Sequence, residues 1–133
     1  MREALLALLF SNVFSEHLEA AESGGRVLLP VVQEFILRRL SDPGLSPAGI
    51  ALANGISVRH LHRLFESTGF TAGQWIRQQR LQRCADDLRN SALQVSNLTA
   101  IAHQWGFSDS AHFSRAFKGE FGQTPSNYRL QHA

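Results

Sequence analysis

An internal repeat in the C-terminal two thirds of the chain constrains its fold more than any other feature. The segment that begins at Ile50-Ala51 matches the one that begins at Ile101-Ala102, with an offset of 51 positions. Further along, inserted residues raise the offset to 52 and then to 53. The later matches pair Leu61, Arg63 and Phe65 with Phe113, Arg115 and Phe117, and then Gly69, Thr71 and Trp75 with Gly122, Thr124 and Tyr128. Such self-similarity predicts that the two segments fold into the same small unit.

Each copy of the repeat has the residue order expected of two short helices joined by a tight turn. A small alanine lies where a second helix must cross closely, and four residues later comes a glycine, for which positive φ is cheap. A serine that can cap the next helix follows shortly after. These positions are Ala51, Gly55 and Ser57 in the first copy and Ala102, Gly106 and Ser108 in the second. The pattern is that of a helix-turn-helix, whose second helix enters the major groove of DNA.

The rest of the chain also has helical periodicity, so the predicted fold class is all-α. Apolar spacing predicts a helix over about 3–22 that ends at Ser23-Gly24-Gly25, and another helix from about Pro30. A long helix over 72–90 would measure about 28 Å, against about 34 Å between successive major grooves on one side of DNA. We therefore expect two helix-turn-helix units joined by a long connecting helix, plus an extra N-terminal helix. The predicted division is 1–29 for the N-terminal helix and linker and 30–133 for the DNA-binding domain.

Charge and apolar content narrow the range of partners. Residues 1–29 carry a net charge of −2 and residues 30–133 a net charge of +4, with arginine supplying all but one of the 11 basic side chains there. The planar fork of arginine suits base edges and phosphates. The longest apolar run, Ala4–Phe10, is far shorter than the about 20 residues that span a membrane. With one cysteine, Cys84, the chain forms no internal disulfide, which fits a cytoplasmic location.

The second copy of the repeat resembles the signature of the AraC/XylS family of bacterial transcription regulators. The resemblance is carried by residues 106–118 (GFSDSAHFSRAFK), then by 121–125 and Tyr128-Arg129, and it extends loosely over residues 30–129. It implies seven helices and recognition helices at about 57–68 and 109–121, which would lie in successive major grooves. It also implies sequence-specific binding to double-stranded promoter DNA, an activator role and RNA polymerase as a further partner.

Three residues of the first recognition helix are candidates for DNA contact. Arg59, His62 and Arg63 lie on the face opposite Leu61 and Phe65, at one-turn spacing. The resemblance implies that family members contact bases and backbone from these positions. The alternative is a solvated polar face. Ser57, just before this helix, is expected to cap it, and the capped N-terminus would approach a phosphate.

The second recognition helix offers a corresponding set once Phe113 and Phe117 are assigned to the core. His112 is the favoured base reader, whereas Ala111 can offer only a methyl contact to thymine. Arg115 either contacts DNA or braces the fold through a carboxylate. Ser108 is expected to cap this helix and to approach a phosphate. The complete set of candidates here is Ser108, Ser110, Ala111, His112, Ser114 and Arg115.

Alternatives to a regulator depend on two other features. The predicted helix over 3–22 is apolar almost all round, so it would belong to a sensor domain or pair with the same helix of a second chain, and it could make the chain a protein-interaction module. A reactive thiol at Cys84 would fit another alternative, in which the chain is the DNA-docking part of a DNA-repair alkyl acceptor. The simpler interpretation is that Cys84 is buried in the core. The chain has no nucleophile–base spacing and no zinc-type Cys/His cluster. We expect no enzymatic activity, cofactor or metal.

Overall fold

The protein is described by a computed structural model that covers residues 27–93 and 97–132. The predicted helix over 3–22 and its Ser23-Gly24-Gly25 stop lie outside these residues. Within them the structure has seven α-helices, one 3₁₀ turn at Ser91–Leu93 and no strand, which confirms the all-α prediction. The helices are α1 (Leu29–Leu37), α2 (Pro47–Ala53), α3 (Val58–Glu66), α4 (Ala72–Arg89), α5 (Leu98–Gln104), α6 (Ser110–Phe121) and α7 (Pro125–His132). None of these helices is long and apolar enough to cross a membrane.

Among the described residues, the first compact unit comprises residues 27–38 together with Ser46–Gly73. Its core is built from α1, α2 and α3, each of which buries one apolar stripe at helical spacing. The buried side chains are Val27, Val32, Ile36, Ile50, Ala51, Leu61 and Phe65. Each of the larger ones stabilises the fold by about 1.5–3 kcal/mol relative to exposure. Val27, which precedes α1, is also packed in this unit and is only 4% exposed.

The second compact unit comprises Arg39–Leu45 and the described residues from Gln74 onward. Its core contains ten buried residues, namely Leu81, Cys84, Ala85, Leu88, Ile101, Ala102, Phe107, Phe113, Phe117 and Tyr128. Aromatic rings form its centre, with centroids 5.2 Å apart for Phe107 and Phe113 and 5.3 Å apart for Phe117 and Tyr128. At the edge, the indole Nε1 of Trp105 donates to Asp87 Oδ2 at 2.7 Å and joins α5 to α4.

The turns of the two helix-turn-helix units have the same local geometry. Gly55 and Gly106 both have positive φ, 68° and 89°. In each unit the amide after the glycine donates back into the first helix: Ile56 N to Ala51 O and Phe107 N to Ala102 O, both at 3.0 Å. The two stops at Gly69 and Gly122 have φ of 80° and 76°. The repeat seen in the sequence is therefore a repeat of backbone conformation.

The predicted cap at Ser57 is confirmed, whereas the one at Ser108 is not. Ser46 and Ser57 accept from Gly49 N at 3.1 Å and His60 N at 3.0 Å, as N-caps of α2 and α3. The prediction that Ser108 caps α6 is wrong, because Asp109 is the N-cap and its carboxylate accepts from two amides of the first turn. The extra residue of the second copy thus lies in the turn and moves the helix start one position along the chain.

Candidate nucleic-acid interface

The first recognition helix, α3, is strongly two-sided. Leu61 and Phe65 are fully buried, whereas Arg59, His62 and Arg63 are exposed. Helical spacing brings the three polar side chains together on the outer face, since residues three and four apart lie one turn from each other. The structure therefore presents the three predicted residues of α3 as one exposed basic row.

The N-terminus of α3 is held by an exposed hydroxyl. The Ser57 side chain accepts from His60 N, and the Ser57 carbonyl accepts from Leu61 N at 3.0 Å. Ser57 carries no charge, so the positive end of the helix macrodipole is not neutralised at this point. This end of α3 is suited to lie beside a phosphate.

The second recognition helix, α6, repeats the arrangement with smaller side chains. Phe113 and Phe117 are buried at 2% and 0% exposure. The outer face carries exposed residues, which are Ser110, Ala111, His112, Ser114 and Arg115. The His112 ring lies 6.1 Å from the ring of Phe107, centroid to centroid, at a tilt of 52°. The exposed imidazole of His112 therefore lies beside a buried ring of the turn.

The N-cap of α6 is a carboxylate, whereas the N-cap of α3 is a hydroxyl. Asp109 Oδ1 accepts from Ala111 N at 2.9 Å and from His112 N at 3.2 Å. These two backbone hydrogen bonds hold the pKa of Asp109 below its ordinary value, and the nearby charges of Arg115 and His112 act in the same direction. The carboxylate is therefore ionised at neutral pH and offsets the positive end of the helix. Ser108 is exposed beside it without being the cap.

The surroundings of Arg115 bear on whether it braces the fold or is available to DNA. It is exposed and makes no salt bridge to any residue that the structure describes. Its charge acts on Asp109 over a longer distance, through the pKa of that carboxyl. These observations favour the interpretation that Arg115 is available to DNA over the interpretation that it braces the fold.

Two residues of the candidate interface were missed by the sequence interpretation. Val58, 38% exposed, is the first residue of α3, and half-buried His60 lies two positions further along. At the offset of 52 that applies within the recognition helices, Val58 corresponds to Ser110 and His60 corresponds to His112. Extending this offset back to the helix start would have found both. An exposed valine can offer methyl contact to thymine.

The single cysteine does not form a reactive site. Cys84 is fully buried in α4, with Sγ 4.0 Å from the carbonyl of Ile101. Burial, together with the charge of Asp87, raises the pKa of the thiol to about 12, so it stays protonated and unreactive at neutral pH. This does not favour the alkyl-acceptor alternative. Among the described residues, no group of three or more His, Cys, Asp or Glu side chains could hold a metal ion.

Two helix-turn-helix units, each with an exposed polar recognition helix, define a DNA-binding domain. Comparison with known proteins agrees, since residues 50–131 match the family model described as a helix-turn-helix domain. That match covers more than half of the chain. The chain belongs to the AraC-type helix-turn-helix family of transcription regulators.

Relatives and solved structures with these features are bacterial. The transcriptional activator NphR of a Rhodococcus species is 38% identical over 102 residues, which cover 77% of this chain and 30% of NphR. The activator RhaS of Escherichia coli is 33% identical over 126 residues, which cover 94% of this chain and 42% of RhaS. An AraC-type transcriptional regulator structure from Chromobacterium violaceum, 29% identical, superposes with a TM-score of 0.69 and covers 77% of this chain and 88% of its own. The chain thus spans less than half the length of the two activators it matches.

Proposed function

We propose that this chain is the DNA-reading domain of a bacterial transcription activator and that it binds double-stranded promoter DNA through α3 and α6. The observation that carries the proposal is the repeated two-sided recognition helix. In both copies, the helix after the glycine turn buries an aromatic or aliphatic stripe and exposes a row of polar and basic side chains. Such a helix fits the major groove, where every base pair has its own donor and acceptor pattern.

The exposed side chains suggest a division of roles. Arg59, His62 and His112 are the proposed base readers, and a good bidentate arginine contributes about 1–3 kcal/mol of discrimination between bases. Arg63 and Arg115, which match in the repeat, would contact phosphates or bases beside them. Ser110, Ala111 and Ser114 line the groove with small groups. Ser57 and Ser108 would lie next to the backbone, where contacts set the register rather than the sequence.

Selection of bound duplexes from a random-sequence pool tests this function directly. The whole 133-residue chain would be used, followed by affinity measurements on the selected duplex and on a shuffled duplex of the same composition. We expect the selected duplex to bind on the order of 10³-fold more tightly at physiological salt. Equal affinity for the two duplexes would contradict sequence-specific binding.

The remaining proposals concern the longer protein that the relatives suggest. Residues 1–29 would be the tail of a sensor domain or a helix that pairs with its copy in a second chain, and 30–133 the DNA-binding domain. Support for this comes from the density of large apolar side chains in the N-terminal segment, among them Leu5, Leu9 and Phe10. RNA polymerase would be the partner of the DNA-bound form. We further propose that the protein acts in the cytoplasm and has no enzymatic activity.

A further inference from the structure

The guanidinium of Arg80, on α4, bonds to a segment far away in the sequence. Its Nε donates to Leu40 O at 2.9 Å and its Nη2 donates to Asp42 O at 2.6 Å. Both carbonyls belong to the segment 39–45 that follows α1, which lies in the same compact unit as Arg80. A planar guanidinium can serve two acceptors at once in a fixed geometry, whereas an ammonium group acts as a point charge.

The same guanidinium is packed against the turn of the second helix-turn-helix. A Cβ added at Gly106 would lie 2.8 Å from Arg80 Cζ and 2.9 Å from Arg80 Nε, closer than real Cβ contacts. The group cannot move aside without losing its bonds to the two carbonyls. In the first unit, no atom of the described residues lies within 4 Å of such a Cβ at the corresponding Gly55. Gly55 has positive φ too, so the two glycines differ in their neighbours rather than in backbone strain.

The surroundings keep Arg80 charged and in place. Partial burial lowers the pKa of Arg80, and the Asp42 carboxylate raises it. That carboxylate accepts from Gly44 N at 2.8 Å, which stabilises the conformation of the segment that Arg80 bonds to. A desolvated guanidinium is tolerated where carbonyl acceptors replace water, and the bonds to Leu40 O and Asp42 O are of that kind.

We infer that Arg80 is a positioning residue for the second recognition helix. By bonding to the carbonyls of Leu40 and Asp42 and packing on Gly106, it sets the turn from which α6 begins. The affinity of α6 for DNA then depends on the segment 39–45, although neither that segment nor Arg80 belongs to a recognition helix. The inference rests on the proposed function in one respect only, namely that α6 reads DNA. Among the described residues, no guanidinium packs on Gly55 in the turn of the first unit. We therefore infer this dependence on Arg80 for α6 and not for α3.

The contact itself is tested without DNA by a double-mutant cycle on the whole chain. Gly106→Ala is expected to raise the unfolding equilibrium constant about tenfold more than the matched control Gly55→Ala, because only the former meets the guanidinium. In an Arg80→Ala background this excess should vanish, since the added methyl then has room. Additive effects of Gly106→Ala and Arg80→Ala would overturn the packing part of the inference.

The effect on DNA reading is tested with a duplex selected from a random pool by the unaltered chain. Each base pair of this duplex is replaced in turn, and the affinity is measured for the unaltered chain and for His112→Ala. Base pairs whose replacement weakens the unaltered chain but not His112→Ala belong to the half-site of α6. The same comparison with His62→Ala identifies the half-site of α3. We expect Arg80→Lys to weaken binding about tenfold through the α6 half-site and to leave a duplex with only the α3 half-site unaffected. Arg80→Lys keeps the positive charge, so the loss would come from the missing guanidinium fork.

Three results are distinguishable. Equal losses on both half-sites would mean that Arg80 is only structural, and a salt-dependence slope lowered by about 1 would mean that it contacts a phosphate. Either result overturns the inference. If the unaltered chain selects no duplex at all, the proposed function fails and the DNA part of the inference fails with it. The double-mutant cycle still reports separately on the Arg80–Gly106 contact.

Discussion

Ser57 and Asp109 occupy the same position in the two repeated units. Each immediately precedes a recognition helix and accepts from the amide three residues on, His60 N at 3.0 Å for Ser57 and His112 N at 3.2 Å for Asp109. Ser57 performs this role with a neutral hydroxyl, whereas Asp109 performs it with an ionised carboxylate that also accepts from Ala111 N. The two helices therefore begin with the same geometry and present different charges to a DNA backbone.

Asp109→Ala is expected to lower the melting temperature of the protein clearly at neutral pH, because two amides of α6 lose their acceptor. Ser108→Ala is the matched control, since Ser108 is the exposed neighbour that does not cap the helix, and it should leave the melting temperature nearly unchanged. Circular dichroism melts of the two variants measure the difference. A larger loss for Ser108→Ala would contradict the assignment of the cap.

The cap effect should also depend on pH. The pKa of Asp109 is lower in the folded protein than in the unfolded chain, so its ionised form stabilises the fold. This contribution is fully present above the ordinary aspartate value of about 3.9 and is lost as the pH falls through the lower folded value. The gap in melting temperature between Asp109→Ala and the unaltered protein should therefore shrink below about pH 4. A gap that stays constant down to about pH 2 would show that the charge of Asp109 contributes nothing.

Alanine at Arg59, His62 or His112 is expected to reduce binding to the selected duplex by about 1–3 kcal/mol each. The reason is that all three side chains are exposed on the outer faces of α3 and α6. Arg38→Ala provides a charge control, because Arg38 is an exposed arginine that directly follows α1 and pairs with Glu34. Electrophoretic mobility shifts on selected and shuffled duplexes supply the affinities. If each substitution weakened binding equally on the selected and the shuffled duplex, the three residues would contact only the DNA backbone.

Proline at Arg83 is expected to cost about 3 kcal/mol of helix stability, because it lies in the interior of α4 and proline removes a backbone donor there. Arg83→Ala is the control, since it loses only the contact of the guanidinium carbon with the Trp105 ring at 5.7 Å, which contributes about 0.5–1 kcal/mol. If α4 acts as a rigid connector, the proline variant should also bind a two-half-site duplex little better than a single half-site. A folded proline variant with unchanged two-half-site affinity would refute the connector hypothesis.

Cys84 should resist alkylation in the folded protein. Its pKa is raised to about 12 by burial, so the nucleophilic thiolate is almost absent at pH 8. We expect iodoacetamide to modify the native chain orders of magnitude more slowly than the urea-unfolded chain, as followed by mass spectrometry. Rapid alkylation of the native chain would revive the idea of a reactive thiol and, with it, the alkyl-acceptor alternative.

Removal of residues 1–26 separates the two roles proposed for the N-terminal segment. The cut is placed there because Val27 is buried and belongs to the packed domain. If the segment serves a sensor domain or a second chain, self-association should be lost while the melting temperature and half-site affinity stay unchanged. Analytical ultracentrifugation and thermal melts make the comparison. A large drop in melting temperature of a monomeric chain would instead place the segment in the core of the DNA-binding domain.

The fold could be predicted closely from sequence because its signals are local. Helical periodicity, the serine cap at Ser57 and glycines at positive φ each act within a few residues, so the pattern predicts the two recognition helices and the connecting helix to within one or two positions. The candidate DNA-contacting residues were predictable for the same reason, since burying Leu61 and Phe65 leaves the other face of α3 exposed. Helical periodicity shows only that these residues lie at the surface. That they contact DNA stays a prediction.

The choice between Ser108 and Asp109 illustrates where local signals end. Both side chains can cap a helix, and the sequence by itself determined only that a cap lies just after Phe107. The backbone decides which one is used, because the extra residue of the second copy is absorbed in the turn and the helix begins after Asp109. At the start of α5, the Asn97 side chain accepts from Ala100 N and caps the helix. Asn97 corresponds to Ser46 in the repeat. The sequence interpretation missed this cap because Asn97 follows a polar stretch.

The sequence by itself determined the class of fold, the two recognition helices and the residues that each can expose, since all of these follow from short-range periodicity and cap chemistry. Only the tertiary structure decided which distant groups meet. Arg80 donates to carbonyls 38 and 40 positions away and packs against Gly106. The indole of Trp105 donates to Asp87, which lies on another helix. No periodicity encodes such contacts, because they arise when helices pack and bring polar groups to positions where each must find a partner.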